Sequence, residues 1–283
     1  KYIAFFARVI YNYDEKYLAS VSLRRDGSSR FGVNHKWGWF PAGSVGWRMN
    51  KEEWLKDVSW LNELKLRAGF GVTGNQDFAN YKSMLIMQAK GFFYSNGKWI
   101  SSYAPASNAN PELSWEKKAE FNMGLDFAIL KSRLYGTIDY YYRKTSDLLY
   151  NYNVPVPPYD YGTMFTNVGS ISNSGIEVTL NALAVQSNDF TWNTALTLAH
   201  NSNKLIKFTN EKFKDGEYKI GWIATPVGAY CQKLVEGDSL GSFYGPTWVM
   251  VDPDTGKDKL ANSIAGSVAE SDWTNIGCAY PLL

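Results

Sequence analysis

The sequence lacks long apolar runs, and its longest unbroken one covers six residues, from 2 to 7. A transmembrane helix needs about 20 apolar residues, so helical membrane spans are excluded. A transmembrane β-barrel is still allowed, because its strands need only about 9–11 residues and alternate in polarity. Residues 1–4 also lack an initiating methionine and the apolar segment of a signal peptide, so we expect the chain to begin inside a longer polypeptide.

The chain also contains few cysteines and histidines, and its positive and negative charges nearly balance. Cys231 and Cys278 allow one disulfide, although two unconnected thiols fit the sequence at least as well. His35 and His200 are the only histidines, so no cluster has zinc-ligand spacing and we expect no cofactor. Lys and Arg total 29 against 27 Asp and Glu, and this net charge of +2 argues against a nucleic-acid partner.

Aromatic residues and alternating polarity are what the sequence has in quantity. Aromatics make up 16% of the 283 residues. Between 116 and 129, the odd positions are mainly apolar and the even positions mainly polar, which predicts a β-strand with one apolar face. The same period predicts about nine strands, at 2–12, 17–24, 37–48, 63–72, 116–129, 133–144, 167–184, 190–203 and 240–250. One helical turn is predicted at 50–56, with Asn50 as its N-cap and Glu53 three residues later.

The connections between these predicted strands favour a membrane barrel. Short connections at 13–16, 130–132 and 185–189 alternate with long ones at 73–113, 146–166 and 204–239. Outer-membrane barrels have short periplasmic turns and long extracellular loops, whereas a soluble β-sandwich has no reason to keep this parity. The predicted strands of 11 to 16 residues also exceed the usual length of about 5–6. We therefore expect an all-β, antiparallel transmembrane β-barrel.

The two predicted strand faces carry different residue types. Apolar-face aromatics near the strand ends are expected to form membrane-interface girdles: Tyr11, Tyr17, Trp47, Phe127 and Trp192 at the periplasmic end, and Trp39, Trp115, Tyr140 and Tyr142 at the other. The polar faces place Glu116, Glu120, Asp126 and Asp139 opposite Lys118, Arg133 and Arg143. Ion pairs explain these carboxylates better than a catalytic dyad, and no nucleophile triad or phosphate loop is present, so we expect no enzyme.

A series of segments carries a resemblance to one family. They read YNYDEKYL at 11–18, SLRRDGSSRFG at 22–32, FPAGSVGWR at 40–48, GVTGNQ at 71–76, NPELSWEK at 110–117, DYYYRKTSDLL at 139–149 and NSGIE at 173–177. In this order and spacing they resemble the C-terminal barrel portion of SusC/RagA-type TonB-dependent outer-membrane transporters. The resemblance implies that residues 1–283 form part of a 22-stranded plugged barrel whose plug and terminal strands are absent from this chain.

The resemblance also implies a function and a set of partners. Such transporters import bulky nutrients, either glycans or oligopeptides, with a SusD-like surface lipoprotein and with TonB, which acts through the N-terminal part. Outer-membrane lipid is the remaining implied partner, and the chain would be a multi-pass outer-membrane barrel. Two alternatives stay open at this point: a passive porin or surface adhesin barrel, and a soluble carbohydrate-binding β-sandwich.

The long connections hold the predicted substrate-contact residues. Trp99 and Tyr103 lie in one aromatic-rich loop, and Tyr159 and Tyr161 lie in another that prolines stiffen. Packing of these rings between loops or against the lipoprotein is an open alternative. Two further candidates, Arg24 and Arg30, flank an Asp-Gly turn, where salt bridges that lock the loop would equally explain the charges.

One acidic segment resembles a calcium-binding loop in part. Asp252, Asp254 and Asp258 surround Gly256, but Ser263 stands at the twelfth position, where such a loop needs a bidentate glutamate. A polar turn is the favoured interpretation, and no metal site is predicted.

Overall fold

A computed structural model describes residues 1–209, 217–224 and 229–245, and the backbone of 248–251, 258–260 and 274–277. The described residues form eighteen strands and one short 3₁₀ helix, Met49–Lys51. The strands are β1 Tyr2–Tyr13, β2 Tyr17–Ser28, β3 Trp37–Arg48, β4 Leu61–Asn75, β5 Met87–Ser95, β6 Lys98–Pro105, β7 Glu116–Ile129, β8 Leu134–Ser146, β9 Leu149–Asn153, β10 Thr163–Asn167, β11 Ser170–Gln186, β12 Thr191–Lys207, β13 Glu217–Ile223, β14 Ala229–Val235, β15 Phe243–Gly245, β16 Trp248–Val251, β17 Asp258–Leu260 and β18 Thr274–Gly277. The expected all-β class is confirmed.

Eight long strands form the main sheet, in the order β1-β2-β3-β4-β7-β8-β11-β12. Every pair of neighbouring strands from β1 to β8 in this sheet is antiparallel. The predicted loop at 73–113 contains the β5–β6 hairpin, and the predicted loop at 146–166 contains the β9–β10 hairpin. Because each insertion adds two strands, the predicted parity holds for these two connections, and both leave the same end of the sheet.

The chain divides into two compact units, which we describe separately. The first comprises Lys1–Val168 and Ser172–Ser202, and the second comprises Gly169–Ile171 and Asn203–Leu283.

The strand register in the first unit matches apolar residues with apolar residues. Leu125 of β7 lies opposite Leu66 of β4 and Ile138 of β8. We call the side of the sheet that carries these three residues the outward face, and the opposite side the inward face. Phe70, Met123 and other large outward side chains remain 40–51% exposed: Phe70, Phe121, Met123, Ile138, Tyr140 and Tyr142. A β-sandwich would cover this face with a second sheet, so the exposure favours contact with lipid.

The predicted helix at 50–56 is wrong. The segment contains the 3₁₀ helix Met49–Lys51 followed by separate turns, in which the Leu55 and Lys56 amides donate to the Glu52 carbonyl oxygen, and the capping groups are used elsewhere. The Asn50 side chain donates to the Asn62 carbonyl oxygen and accepts from the Leu64 amide. Glu52 accepts hydrogen bonds from the Tyr17 hydroxyl at 2.6 Å and the Trp47 indole at 3.0 Å, which lower the pKa of Glu52. These contacts tie the segment to β2–β4 instead of extending a helix.

A small core lies under the long connections. Phe31, Phe40, Leu113 and Trp115 form one buried cluster, with Trp115 only 3% exposed. The prediction that Trp115 belongs to the outer girdle is therefore wrong. Its ring packs against Phe31 with centroids 4.5 Å apart, and its indole donates to the Lys36 carbonyl oxygen. Trp39, Tyr140 and Tyr142, predicted at the same end, are exposed on the outward face as expected.

The second unit contains the β13–β14 hairpin, which β15 and β18 extend to four strands. The predicted strand at 240–250 is instead two short strands, β15 and β16. Glu236 accepts hydrogen bonds from the Phe208 and Thr209 amides, which lower its pKa. Cys231 is a free thiol that donates to the Gly221 carbonyl oxygen, whereas Cys278 lies outside the described residues.

Candidate functional site

A cavity of about 560 Å³ opens on the inward face near the long connections. Its walls come from β1–β4, from the segment that follows β4, and from Trp115. Two of the predicted contact residues, Arg24 and Arg30, line it together with Asp26, Phe40, Gln76 and others: Tyr2, Ser22, Ala42, Val72, Thr73, Gly74, Asn75, Asp77 and Trp115. The structure therefore brings the two arginines to one site that combines charged, amide and aromatic groups.

Arg24 is held at the cavity wall by a buried carboxylate. Its Nε donates to Oδ1 of Asp26 at 2.7 Å, and the Tyr2 hydroxyl donates to Oδ2 of Asp26 at 2.8 Å. Nη2 of Arg24 also donates to the Tyr2 hydroxyl. The Asp26 side chain is 7% exposed and the Arg24 side chain 52% exposed. This arrangement fixes the orientation of the guanidinium while leaving half of it open to a ligand.

Arg30 holds the segment that follows β4. Its Nε donates to Oδ1 of Asn80 and its Nη1 to the Gln76 carbonyl oxygen, each at 2.9 Å. Arg30 thus joins two loops through neutral acceptors, whereas the salt bridge of Arg24 lies within β2.

Deeper on the inward face, ion pairs link three strands. Arg67 of β4 contacts Asp126 of β7 at 2.7 Å and Asp139 of β8 at 2.9 Å. Arg143 contacts Glu120 at 2.9 Å. The predicted partners are wrong in two cases, because Glu116 accepts from the Asn75 side chain and the Leu149 amide, whereas Arg133 donates to backbone carbonyls. The carboxylates thus serve as structural partners of cations and amides.

Trp99 and Tyr103 lie on the β5–β6 hairpin, where they are 71% and 64% exposed. Tyr94 pairs with Trp99 across the hairpin, with ring centroids 5.3 Å apart in an edge-to-face arrangement. Because side chains alternate along a strand, Phe92, Tyr94 and Trp99 project from the same side of the hairpin. The hairpin therefore presents a row of exposed rings, as the sequence predicts for an interaction surface.

Tyr159 and Tyr161 lie in the β9–β10 connection. The side chain of Asn108, which is far from this connection in the sequence, holds it in place by direct hydrogen bonds. Nδ2 of Asn108 donates to the carbonyl oxygens of Tyr161 at 2.6 Å and Thr163 at 2.9 Å. Its Oδ1 accepts from the amides of Asp160 and Tyr161 at 3.0 and 3.1 Å. Asn108 is only 5% exposed, and Tyr161 is 38% exposed. All four hydrogen-bonding positions of this buried amide are used to position one loop.

Two further asparagines also join the loop before β7 to the β9–β10 region by hydrogen bonds. The sequence analysis did not identify these two or Asn108. Asn110 donates to the Phe165 carbonyl oxygen, and Asn167 both donates to and accepts from the Ser114 backbone. These partners are more than 50 residues apart in the chain, so no local pattern reveals them. The only sequence signal is the Asn-x-Asn spacing before Pro111.

The described residues contain no group of three or more His, Cys, Asp and Glu side chains placed to hold a metal ion. Asp252 and Asp254 of the predicted acidic turn lie outside the described residues, and Asp258 begins β17. Within the described part of the chain, no helix has the length and apolar character of a membrane span.

The chain matches known proteins along most of its length. The family model described as TonB dependent receptor-like, beta-barrel, matches residues 1–247. TonB-dependent receptor P39 of Formosa agariphila is 38% identical over 85% of this chain, and TonB-dependent receptor SusC of Bacteroides thetaiotaomicron is 38% identical over 77%. The chain spans 21–22% of the length of these two relatives.

Solved structures agree with this match. The structure of the RagAB peptide transporter superposes with a TM-score of 0.77 and 26% identity, covering 97% of this chain and 28% of that one. The RagAB peptide importer in its open-open state has a TM-score of 0.82 at 24% identity, which shows a shared fold. The chain therefore belongs to the TonB-dependent receptor-like β-barrel family, and its long strands lie in the outer membrane.

Proposed function

We propose that residues 1–283 form wall and extracellular loops of a TonB-dependent importer of glycans or oligopeptides. The rest of the barrel, its plug and the TonB-contacting segment would belong to the longer polypeptide. A SusD-like lipoprotein would capture the nutrient at the loop end of the sheet, and the chain itself would have no catalytic role.

The similarity to SusC and to the RagAB peptide transporter carries this proposal. SusC is 38% identical over 77% of this chain, and the similarity to the RagAB structure extends over 97% of it. The outward face supports the proposal independently, because it exposes a broad band of apolar and aromatic side chains on the long strands. A passive porin or adhesin would share this wall. The candidate functions therefore differ in whether uptake requires TonB and the proton gradient.

The cavity beside Arg24 supplies groups suited to either nutrient class. An arginine whose guanidinium is oriented by Asp26 can donate to a peptide carboxylate or to sugar hydroxyls. Phe40 and Trp115, which are 5% and 3% exposed, support the same wall from the buried cluster behind it. Arg30, which is largely occupied by Asn80 and Gln76, would act by keeping the wall in shape.

The hairpin rings Trp99 and Tyr103 would contact the nutrient or the lipoprotein above the sheet. Aromatic rings stack on sugar rings and pack against peptide side chains, and exposed aromatics are enriched at protein interfaces. Tyr159 and Tyr161 would form a second contact, held in place by Asn108.

The function is tested by uptake of labelled oligopeptides and glycans into cells that express the full-length protein. Uptake of one nutrient class is expected to require this protein, TonB and the proton gradient together. Uptake that persists without TonB would indicate a passive porin, and normal uptake of both classes without the protein would contradict import.

Replacing both hairpin rings, Trp99→Ser with Tyr103→Ser, is expected to weaken nutrient capture about tenfold, because each aromatic contact contributes about 0.5–1.5 kcal/mol. The measurement is the nutrient concentration that gives half-maximal uptake in intact cells. Lys90→Ser and Lys98→Ser on the same hairpin form the control pair, and uptake should change less than twofold there. An unchanged half-maximal concentration in the ring variant would remove Trp99 and Tyr103 from the contact surface.

A further inference from the structure

The outward face of six strands carries only three charged side chains, and all three are basic. Leu66, Leu125 and Ile138 define the outward face. Strand register and the alternation of side chains then show which other residues of β1–β4, β7 and β8 lie on it. The charged outward residues on these strands are Arg25, Lys117 and Lys144, and no carboxylate shares the face with them on these six described strands. A charge of one sign on a lipid-facing surface calls for an anion from outside the chain.

All three cations lie at the end of their strands that leads into the long connections. Arg25 is the fourth residue from the end of β2, Lys144 the third from the end of β8, and Lys117 the second residue of β7. The outward positions further along these strands are apolar or aromatic, as at Leu23, Phe121 and Tyr142. Because long connections are extracellular in such barrels, the cations mark the border between acyl chains and headgroups of the outer leaflet.

Arg25 is held in position by aromatic rings. Its Cζ lies 4.8 Å from the ring centroid of Trp37 and 5.0 Å from that of Trp39. Trp37 also stacks on Phe5 at 6.3 Å, and its ring covers Gly27, where a Cβ would come within 2.8 Å of it. The guanidinium therefore lies against a fixed aromatic surface at the level where tryptophan rings meet headgroups.

Inward and outward cations differ in their partners. On β4, β7 and β8 every inward cation has a carboxylate within 4 Å: Lys65, Arg67, Lys118 and Arg143. Among the described residues, Arg25, Lys117 and Lys144 form no such ion pair. These three strands thus pair their inward cations with carboxylates of the sheet, whereas Lys117 and Lys144 on their outward face, and Arg25 on β2, are left for an external anion.

We propose that Arg25, Lys117 and Lys144 bind the phosphate groups of phosphorylated glycolipids in the outer leaflet. Arginine offers planar donors that match phosphate geometry, and lysine adds a compact positive charge. The anion must belong to a lipid, because the surface directly below the cations is apolar and faces acyl chains. Clusters of basic side chains at a membrane surface attract anionic headgroups.

The test uses the full-length protein purified in neutral detergent, with diphosphorylated lipid A and the same lipid after removal of its phosphates as probes. Native mass spectrometry measures the fraction of protein that retains each lipid. Wild type is expected to retain the phosphorylated form about tenfold better, and Arg25→Gln with Lys117→Gln and Lys144→Gln to lose this preference.

The matched comparison is Lys117→Gln/Lys144→Gln against Lys56→Gln/Lys131→Gln, whose lysines are exposed at the opposite, short-turn end. Only the first pair should reduce lipid retention, and both pairs should fold, as judged by heat-dependent gel migration. Equal retention of both lipids by wild type, or full retention by the triple variant, would overturn the proposal. Displacement of the lipid by millimolar inorganic phosphate would also overturn it, because a free-phosphate site would then explain the cations. The measurement involves no transport, so its failure is separate from failure of the import function.

Discussion

Leu125→Arg is expected to lower the free energy of unfolding by about 2–4 kcal/mol, the cost of an arginine on the lipid face of a barrel near the bilayer midplane. Leu125 lies on the outward face between Leu66 and Ile138, with Met123 and Phe127 as the next outward residues on its own strand. An arginine there replaces an apolar contact with a charge that has no inward-face carboxylate within reach. The measurement is urea-induced unfolding of the full-length protein in lipid vesicles, followed by tryptophan fluorescence.

The control for this prediction is the same substitution on the inward face of the same strand. Asn122 is exposed and lies opposite Gly69 and Tyr141, so Asn122→Arg places its charge among polar groups. We expect a loss below about 1 kcal/mol there. Equal losses at the two positions would contradict the assignment of faces on which the membrane interpretation depends.

The long strands could be predicted closely because their signal is local. The predicted bounds of 37–48 and 116–129 are those of β3 and β7, and the second segment alternates in polarity along its length. The hairpins inside the long connections escaped prediction because their alternation is weaker. In β5, large exposed rings occupy both sides of the hairpin, at Phe92 and Phe93 alike.

The failures of prediction share one physical cause, which is competition from residues distant in sequence. Asn50 and Glu53 have the spacing of a helix start, yet the Asn50 side chain bonds to the backbone of Asn62 and Leu64 instead. Trp115 has the parity of an outward residue, yet Phe31 and Phe40 enclose it. Such contacts depend on the folded sheet, so no window of neighbouring residues reports them.

The residues of the candidate site also differ in whether the sequence alone reveals them. The residue types that could contact a nutrient are visible in the sequence, because exposed aromatics and arginines stand out in polar loops. The residues that position them are less visible, since Asn80 and Asn108 act on partners 50 and 53 residues away, and only Asp26 lies close in sequence to the arginine that it holds. The loops therefore depend on a small number of polar side chains, and the buried Asn108 is the sharpest point at which to perturb them.

Asn108→Asp is expected to destabilise the loop end of the first unit by about 3 kcal/mol at neutral pH. The carboxylate keeps the oxygen that accepts from the Asp160 and Tyr161 amides, but it replaces the Nδ2 donor that serves two carbonyl oxygens. One oxygen would then face the Tyr161 carbonyl across 2.6 Å. Losing two hydrogen bonds and burying an unpaired charge gives the expected magnitude. Thermal unfolding and protease cleavage within 154–162 measure the effect.

The pH dependence of this variant separates the lost donor from a general packing defect. Burial beside carbonyl oxygens would raise the pKa of the new carboxyl above its unfolded value. The deficit is then complete above that raised pKa and shrinks as the pH falls through it, because the protonated acid can donate to one carbonyl oxygen. Asn151→Asp, on the exposed side of β9, is the matched control and should stay within about 0.5 kcal/mol of wild type across the same pH range. A deficit that stays constant as the carboxyl is protonated would show that Asn108 acts through its shape and not through its two donated hydrogen bonds.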